Sequence, residues 1–303
     1  MLSRPRALPD HAHIAVLAAS GASERARIEA AARRIEQRGH RVTIVDNVDH
    51  RYRHYLAGSD DERAEQLNAA LRDDRYDAFF FARGGYGAMR ILDRIDYEAM
   101  RANPRPLVGF SDVTAIHQAL ATQANVASFH GPMLNLDFYD ALSQEHEEWL
   151  WRLLRGDAPL TYGFGRENVL YDGEIEGELF GGCLSLTAAL TGTPYDYWPD
   201  GGIWFFEEVD EAVYRVDRML THLRLSGRMQ RIRGVVIGKL KGCGGEAEML
   251  ELLRDFFEPL RIPVVHNLPF GHYGDNLAMP IGSTVRLDTR ALAFTIAEAV
   301  VAQ

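Results

Sequence analysis

The sequence has few cysteines, no long apolar run and no excess of positive charge, and each absence excludes a class of protein. Its 303 residues include two cysteines, Cys183 and Cys243, which are too few for a disulfide framework or a cysteine-based zinc site. No stretch is apolar over a length that could span a bilayer. The formal net charge of −10 disfavours nonspecific binding to nucleic acid or to an anionic membrane. We therefore expect a protein of a reducing compartment, with neither nucleic acid nor membrane as a partner.

The N-terminus has some features of a signal peptide, but a buried strand explains it better. Arg4 and Arg6 precede an apolar run at 14–20, as in a secretory signal. That run is short, and Pro9 and Asp10 interrupt the approach to it. We interpret the run as the first buried strand and expect the protein to be cytoplasmic.

The first half of the chain alternates strand-like and helix-like segments, which predicts a parallel sheet with helices on both faces. A hydrophobic content of 47% and a charged content of 25% are typical of a globular protein, and the length suffices for two domains. Ser59 and Glu62 resemble a capping box at the start of one helix. The predicted strands are 13–18, 41–45, 77–82, 107–110 and 126–129, and the predicted helices are 23–38, 60–71, 88–94, 112–123 and 137–154.

The second half begins again with strands after a turn-rich segment at 155–167, which we interpret as a linker. The predicted elements are strands at 174–179, 203–206, 235–237, 262–265 and 285–287, and an amphipathic helix at 214–225. We therefore predict an α/β fold with two domains. An N-terminal parallel-sheet (flavodoxin-like) domain covers residues 1–158, and a smaller C-terminal α/β domain covers residues 168–303.

A serine stands where the predicted strand at 107–110 gives way to a helix. Such a turn can expose the Ser111 hydroxyl above the sheet edge, as in a nucleophile elbow. The alternative is that Ser111 only caps the following helix, because serine is a favoured N-cap residue. The usual elbow pattern G-x-S-x-G is incomplete, because Val113 replaces the second glycine. The residues alone leave both interpretations open.

A glycine-rich loop at 83–87, with the sequence RGGYG, follows another predicted strand. Its backbone N–H groups would suit an anion at the start of the next helix. The loop does not match a dinucleotide fingerprint, because Arg90 stands where the third glycine belongs. It is either a site for an oxyanion or carboxylate, or a tight turn.

An activated serine needs a base and an orienting carboxylate. Glu207 and Glu208 directly follow an apolar strand, where burying either acid would be costly without a partner. His266, His272 and Asp275 match no familiar metal-ligand spacing. The candidate bases are His117, His130, His222, His266 and His272. Of these, His117 should point away from Ser111, and His222 is expected to be structural.

Seven sequence blocks occur in an order that matches one known family. They are AGSDDER at 57–63, RGGYG at 83–87, GFSD at 109–112, HGP at 130–132, the segment 177–185, FEEV at 206–209 with YRVDRML at 214–220, and PFGH at 269–272 with Asn276. On these blocks, which span nearly the whole chain, the sequence resembles the LD-carboxypeptidase (murein tetrapeptide carboxypeptidase) family of serine peptidases. That family also contains the microcin C immunity peptidases.

The resemblance implies a Ser-Glu-His triad in which Ser111 is the nucleophile, Glu207 the carboxylate and His272 the base. The oxyanion hole would be formed by the backbone N–H groups of Gly85 and Asp112. No metal or organic cofactor is implied.

Three positions depart from the family's usual pattern. The first loop at 18–21 lacks the common proline, Cys183 stands where asparagine is usual, and Glu208 stands where aspartate is usual. None of the three touches the implied triad.

The function implied by the resemblance is hydrolysis of the L,D-peptide bond that releases terminal D-Ala from murein tetrapeptides, in peptidoglycan recycling by a homodimer. Terminal-carboxylate binding would use loop N–H groups and either Arg83 or Arg218. A microcin-immunity-type peptidase acting on a peptidyl-nucleotide is the alternative, although the aromatic loop expected for a nucleobase is not clear in this sequence. A non-catalytic binding module is the alternative from another class.

Overall fold

Two β-sheets with flanking helices form the structure, a computed structural model that describes residues 2–302. The strands are β1 (His13–Leu17), β2 (Arg41–Ile44), β3 (Ala78–Phe81), β4 (Leu107–Gly109), β5 (Ser128–His130), β6 (Leu160–Gly163), β7 (Val169–Tyr171), β8 (Glu174–Cys183), β9 (Gly202–Val209), β10 (Ile232–Lys241), β11 (Val264–Val265), β12 (Met279–Ile281), β13 (Thr284–Asp288) and β14 (Ala293–Ile296). The α-helices are α1 (Arg25–Glu36), α2 (Asp60–Arg72), α3 (Tyr97–Ala102), α4 (Thr114–Ala119), α5 (Gln144–Arg155), α6 (Leu184–Leu190), α7 (Val213–Leu225) and α8 (Glu246–Phe257). No helix within 2–302 is both long and apolar enough to cross a membrane.

The first sheet has the order β12-β5-β4-β3-β1-β2, and its first five strands in sequence are all parallel. Alternate residues of β3 point to opposite faces, so Phe79 and Phe81 join one core cluster while Phe80 joins the other. Helix α1 packs into the cluster of Phe80, and α2 into that of Phe79. The predicted mixed α/β fold with a parallel N-terminal sheet is confirmed.

The second sheet has the order β6-β14-β13-β8-β9-β10-β11-β7. Its centre, β8 to β11, is parallel, and the strands on either side are antiparallel. Trp204 and Phe206 of β9 pack with residues of α7 and α8 on one face. In β9 the apolar run at 203–206 is followed by Glu207 and Glu208, so two acidic residues lie near the carboxyl end of the strand.

Several segments differ from the expected elements. The predicted helix at 88–94 is a 3₁₀ helix, and the predicted helix at 112–123 is divided into a 3₁₀ turn, α4 and a π-helical turn. The segment 137–154 is not one helix, because a π-helical turn (Leu134–Ala141) precedes α5, whose N-cap Ser143 accepts a hydrogen bond from the backbone of His146. The expected linker contains β6, which pairs with β14. Strand β12 lies late in sequence but pairs with β5 at the edge of the first sheet. The division at 158 and 168 stays a prediction.

Candidate functional site

Ser111 stands at a strained turn immediately beyond the carboxyl end of β4. Its φ angle is +62°, in the left-handed region that non-glycine residues rarely occupy. Gly109 has no room for a side chain, because a Cβ there would lie 2.9 Å from Phe81 and 3.0 Å from Val113. Ser111 is partly exposed although the residues around it are buried. The turn therefore presents the hydroxyl outward, which is the geometry of a nucleophile elbow.

Ser111, His272 and Glu207 form a continuous chain of hydrogen bonds. His272 Nε2 lies 3.0 Å from Ser111 Oγ, and His272 Nδ1 lies 2.7 Å from Glu207 Oε2. Because an ionised carboxylate can only accept, Nδ1 carries the proton, and Nε2 of the neutral ring is free to accept from the serine hydroxyl. The residues come from a turn after β4, the end of β9 and the loop between β11 and β12, so the two sheets jointly supply them.

Gly271 lets the backbone before His272 approach the carboxylate. Its φ is +93°, and a Cβ at this position would clash with Glu207. The approach allows the backbone N–H of His272 to donate to Glu207 Oε2 at 3.1 Å. His272 is thus held by two bonds to one oxygen atom, one from its imidazole and one from its backbone N–H.

Glu207 and Glu208 point to opposite sides of β9. Glu207 is fully buried against His272, whereas Glu208 accepts hydrogen bonds from the backbone N–H groups of Ser185 at 2.7 Å and Val209 at 3.0 Å. This is the alternation expected of an extended strand. Only Glu207 contacts the histidine.

The environment makes His272 a stronger base than a free imidazole. Burial lowers the pKa of His272, but the charge of Glu207 and its hydrogen bond raise the pKa by more, so that the result lies above 6.5. Asp137 also contributes a smaller raising effect. The ring is therefore suited to take up a proton.

The glycine-rich loop lies directly against the serine turn. A Cβ on Gly84 would be 2.8 Å from Ser111 Cβ and 3.3 Å from the backbone nitrogen of Asp112. The buried Asp112 carboxylate accepts a hydrogen bond of 2.8 Å from the N–H of Ala88, which joins the two loops. Within the described residues, the N–H groups of Gly85 and Asp112 donate to no backbone or side-chain acceptor. Both groups remain available to a ligand oxygen beside Ser111.

Comparison with known proteins identifies the family of this chain. The family model of the LD-carboxypeptidase N-terminal domain matches residues 14–131, and that of the LD-carboxypeptidase C-terminal domain matches residues 176–287. The chain belongs to the LD-carboxypeptidase family. The murein tetrapeptide carboxypeptidase of Pseudomonas aeruginosa is 31% identical to it over 96% of this chain and 99% of that protein. The family is one of serine carboxypeptidases, so the resemblance inferred from the seven blocks is confirmed.

Solved structures also match this chain over almost its full length. The muramoyltetrapeptide carboxypeptidase of Oxalobacter formigenes is 29% identical, with a TM-score of 0.85, and the match covers 94% of this chain and 99% of that chain. The microcin C7 self immunity protein MccF is 20% identical, with a TM-score of 0.90, and each chain is covered completely. The latter match shows a shared fold.

The other candidate histidines of this chain lie outside the hydrogen-bonded series of Ser111, His272 and Glu207. His117 is buried, with Nε2 2.8 Å from the carbonyl oxygen of Gly109, and burial lowers its pKa to about 4. His130 is buried among aromatic rings, and burial lowers its pKa well below 6.5. His222 is exposed on α7, and His266 faces the carbonyl oxygen of Glu167 at 3.1 Å. Within residues 2–302, no group of three or more His, Cys, Asp and Glu side chains could hold a metal ion.

Two features near the site could not be found from the sequence. Asp137 is buried close enough to influence His272, and burial raises its pKa to about 7. Arg51 and His54 line a cavity together with Arg83 beside the glycine-rich loop. The burial of Asp137 leaves no local pattern in the sequence. The approach of Arg51 and His54 to the glycine-rich loop leaves none either, because it depends on how distant loops come together. Arg218, the other carboxylate candidate, is exposed on α7.

Proposed function

We propose that this protein is a serine-type LD-carboxypeptidase that releases terminal D-Ala from murein tetrapeptides. Ser111 is the nucleophile, His272 the general base and Glu207 the carboxylate that orients it. The observation that supports this assignment best is the unbroken hydrogen-bonded chain from Ser111 to Glu207 in a member of this family. The named activities of the relatives in Pseudomonas aeruginosa and Oxalobacter formigenes supply the substrate class.

In the proposed acylation step, His272 Nε2 takes the proton of the Ser111 hydroxyl while Oγ attacks the carbonyl carbon before the terminal residue. The negative charge that develops on the carbonyl oxygen is stabilised by the N–H groups of Gly85 and Asp112. Glu207 stabilises the imidazolium. The C–N bond then breaks as His272 returns the proton to the leaving amine, which departs as D-Ala.

In the proposed deacylation step, water replaces the amine. His272 takes a proton from the water, whose oxygen attacks the ester carbonyl of Ser111. The C–O bond to serine breaks, the proton passes to Ser111 Oγ, and the shortened peptide leaves as an acid. No metal or organic cofactor takes part in either step.

Release of D-Ala from a panel of purified muropeptides tests the proposal. The panel contains tetrapeptides with diaminopimelate or lysine at the third position, and the corresponding tripeptides serve as blanks. We expect D-Ala from a tetrapeptide, unchanged turnover in EDTA, and a loss of roughly 10⁶-fold in kcat for Ser111→Ala. Activity that disappears in EDTA and returns with zinc would contradict the mechanism.

The second candidate function is cleavage of a peptidyl-nucleotide by the same three residues. At 20% identity the match to MccF supports the fold alone and does not decide between the two substrates. A peptidyl-sulfamoyl nucleoside included in the same panel separates the two functions. A binding module without catalysis is disfavoured, because it has no need of the strained Ser111 turn or of a base held by a buried carboxylate.

The proposal includes a cytoplasmic location and a homodimeric assembly, both of which follow the expectation for the family. Light scattering on the purified protein measures the assembly, and fractionation of the producing cells measures the location. A monomer at micromolar concentration, or enrichment outside the cytoplasm, would contradict these parts separately from the chemistry.

A further inference from the structure

A cationic cavity lies beside the glycine-rich loop at 83–87. It has a volume of about 360 Å³. Its lining includes Arg51, His54, Tyr55, Arg83 and Gly85. Gly85 connects this cavity with the oxyanion hole proposed above, because its N–H is one of the two donors.

The two arginines of this cavity have no acidic partner. No ion pair involves Arg51 or Arg83 within the described residues, and no acidic side chain is among those lining the cavity. Arg83 is half-buried, and its guanidinium donates to the carbonyl oxygen of Ala22 at 3.0 Å. Its strongest charged neighbour is Arg51, which has the same sign. Two adjacent positive charges without a counterion are unfavourable unless an anion completes the site.

The neighbouring glycine-rich loop illustrates how arginines are usually satisfied in this protein. Arg90, three residues beyond the loop, makes two hydrogen bonds to the carboxylate of Asp60, at 2.8 and 2.6 Å. Asp60 also pairs with the buried Arg63. In a chain with a net charge of −10, acidic residues are abundant. In the described part of the chain, no acidic side chain lines the cavity of Arg51 and Arg83, so the cavity has room in its charge balance for an external anion.

The geometry points to this cavity as the subsite for the terminal carboxylate of the peptide substrate, with Arg83 and Arg51 as its charged ligands. The inference rests on the proposed carboxypeptidase function. In a substrate that loses one terminal residue, the carboxylate is separated from the attacked carbonyl carbon only by the amide nitrogen and one α-carbon. A subsite for it must therefore adjoin the oxyanion hole, as this cavity does through Gly85. Arginine is well suited to a carboxylate because its planar fork donates two parallel hydrogen bonds.

A comparison of free-acid and amidated tetrapeptides tests the subsite. For the wild-type enzyme, we expect kcat/KM to be about tenfold to hundredfold higher for the free acid than for its C-terminal amide, the range for a hydrogen bond to a charged group. Arg51→Gln and Arg83→Gln should remove most of this preference by raising KM for the acid, so that kcat/KM for the acid approaches kcat/KM for the amide in the same variant. Arg51→Glu should reverse the preference.

Arg53→Gln is the matched control, because Arg53 lies on the same loop but stacks over the ring of Tyr52, 5.5 Å from its centroid, outside the cavity. It should keep the wild-type preference. Arg83 also supports the loop through Ala22, so Arg83→Lys, which keeps the charge, should recover part of the preference. If Arg83→Gln fails to fold, the exposed Arg51 variants still decide.

The outcomes distinguish this inference from the proposed function. A wild-type enzyme that releases no D-Ala from any tetrapeptide contradicts the function itself. An active enzyme that cleaves acid and amide equally well overturns the subsite. A preference for the acid that the Arg51 variants leave unchanged also overturns the subsite. If the effect of the Arg51 variants instead depends on whether diaminopimelate or lysine stands at the third position, the cavity binds a different carboxylate, and the subsite is likewise overturned.

Discussion

Replacing Glu207 by glutamine separates the charge of this residue from its hydrogen-bonding geometry. Glu207 is fully buried, and its Oε2 atom accepts bonds from the ring Nδ1 of His272 at 2.7 Å and from its backbone N–H at 3.1 Å. A glutamine oxygen can accept the same two bonds. The variant therefore retains the shape of the site and loses the negative charge that stabilises the imidazolium.

The expected loss follows from this geometry. Charges about 4 Å apart at an effective dielectric constant of about 20 attract by about 4 kcal/mol. Since about 1.4 kcal/mol changes a rate tenfold, losing this attraction slows the reaction about a thousandfold. A glutamine amide can also present its N–H₂ group to the ring and favour the wrong tautomer, and the equivalent change in Ser-His-Asp proteases costs roughly 10⁴-fold. We expect kcat to fall by about 10³- to 10⁴-fold.

Glu208→Gln is the matched control, since it makes the same chemical change one residue further along β9. The Glu208 carboxylate serves the backbone N–H groups of Ser185 and Val209, and its Oε atoms lie 3.6 Å from the thiol of Cys183. Glutamine preserves one of the two acceptors, so we expect a loss of about 1 kcal/mol in the free energy of unfolding and less than a tenfold change in kcat.

D-Ala release measured with a coupled D-amino-acid oxidase gives kcat for both variants, and circular dichroism establishes that each is folded. The assignment of Glu207 is wrong if folded Glu207→Gln keeps activity within tenfold of the wild type while folded Glu208→Gln is inactive. That result would mean that the register of β9 at its carboxyl end, and the assignment based on it, are wrong.

Three further predictions concern the same site. Burial lowers the pKa of His272, and the adjacent carboxylate raises it by more, so the apparent pKa should lie above 6.5. We therefore expect kcat/KM to rise with pH as the ring loses its proton through this pKa, and a rise centred below pH 6.5 would contradict the expectation. Gly84→Ala would place a methyl group 2.9 Å from Ser111 Oγ and should lower kcat by about 100-fold, whereas Gly245→Ala, with nothing within 4 Å, should leave it unchanged. Cys243→Ala should remain fully active, because burial raises the pKa of its thiol to about 11 and no proposed step uses it; inactivation of the folded variant would refute this.

The parts of the fold that could be predicted are those with strong local patterns. The buried run of β3 and the capping box of Ser59 and Glu62 are found where the sequence indicates them. Strand β12 gives no such signal, since it is three residues long and contains Pro280. A proline is tolerated there because β12 is at the sheet edge, and edge position is a property of the fold rather than of the segment.

The site could be predicted only in part. The serine turn has a local signature, but residue chemistry alone left several histidines and two glutamates as candidates, and family resemblance was needed to choose among them. His272 and Ser111 are 161 positions apart in sequence, and the fold brings His272 Nε2 to 3.0 Å from Ser111 Oγ. Arg51 and His54 gave no signal, because their approach to Gly85 depends on how two loops fold against each other.

Strand β12 explains how groups from two sheets are held to hydrogen-bonding distances. The loop carrying His272 leaves β11 in the second sheet and enters β12, which pairs with β5 in the first sheet through Met279 and His130. Strand β5 in turn adjoins β4, at whose end Ser111 stands. The base is therefore attached to the nucleophile's sheet on one side and, through its bonds to Glu207, to β9 on the other. A relative movement of the sheets that separated Ser111 from Glu207 would have to break the β5–β12 pairing or the buried Glu207–His272 bonds.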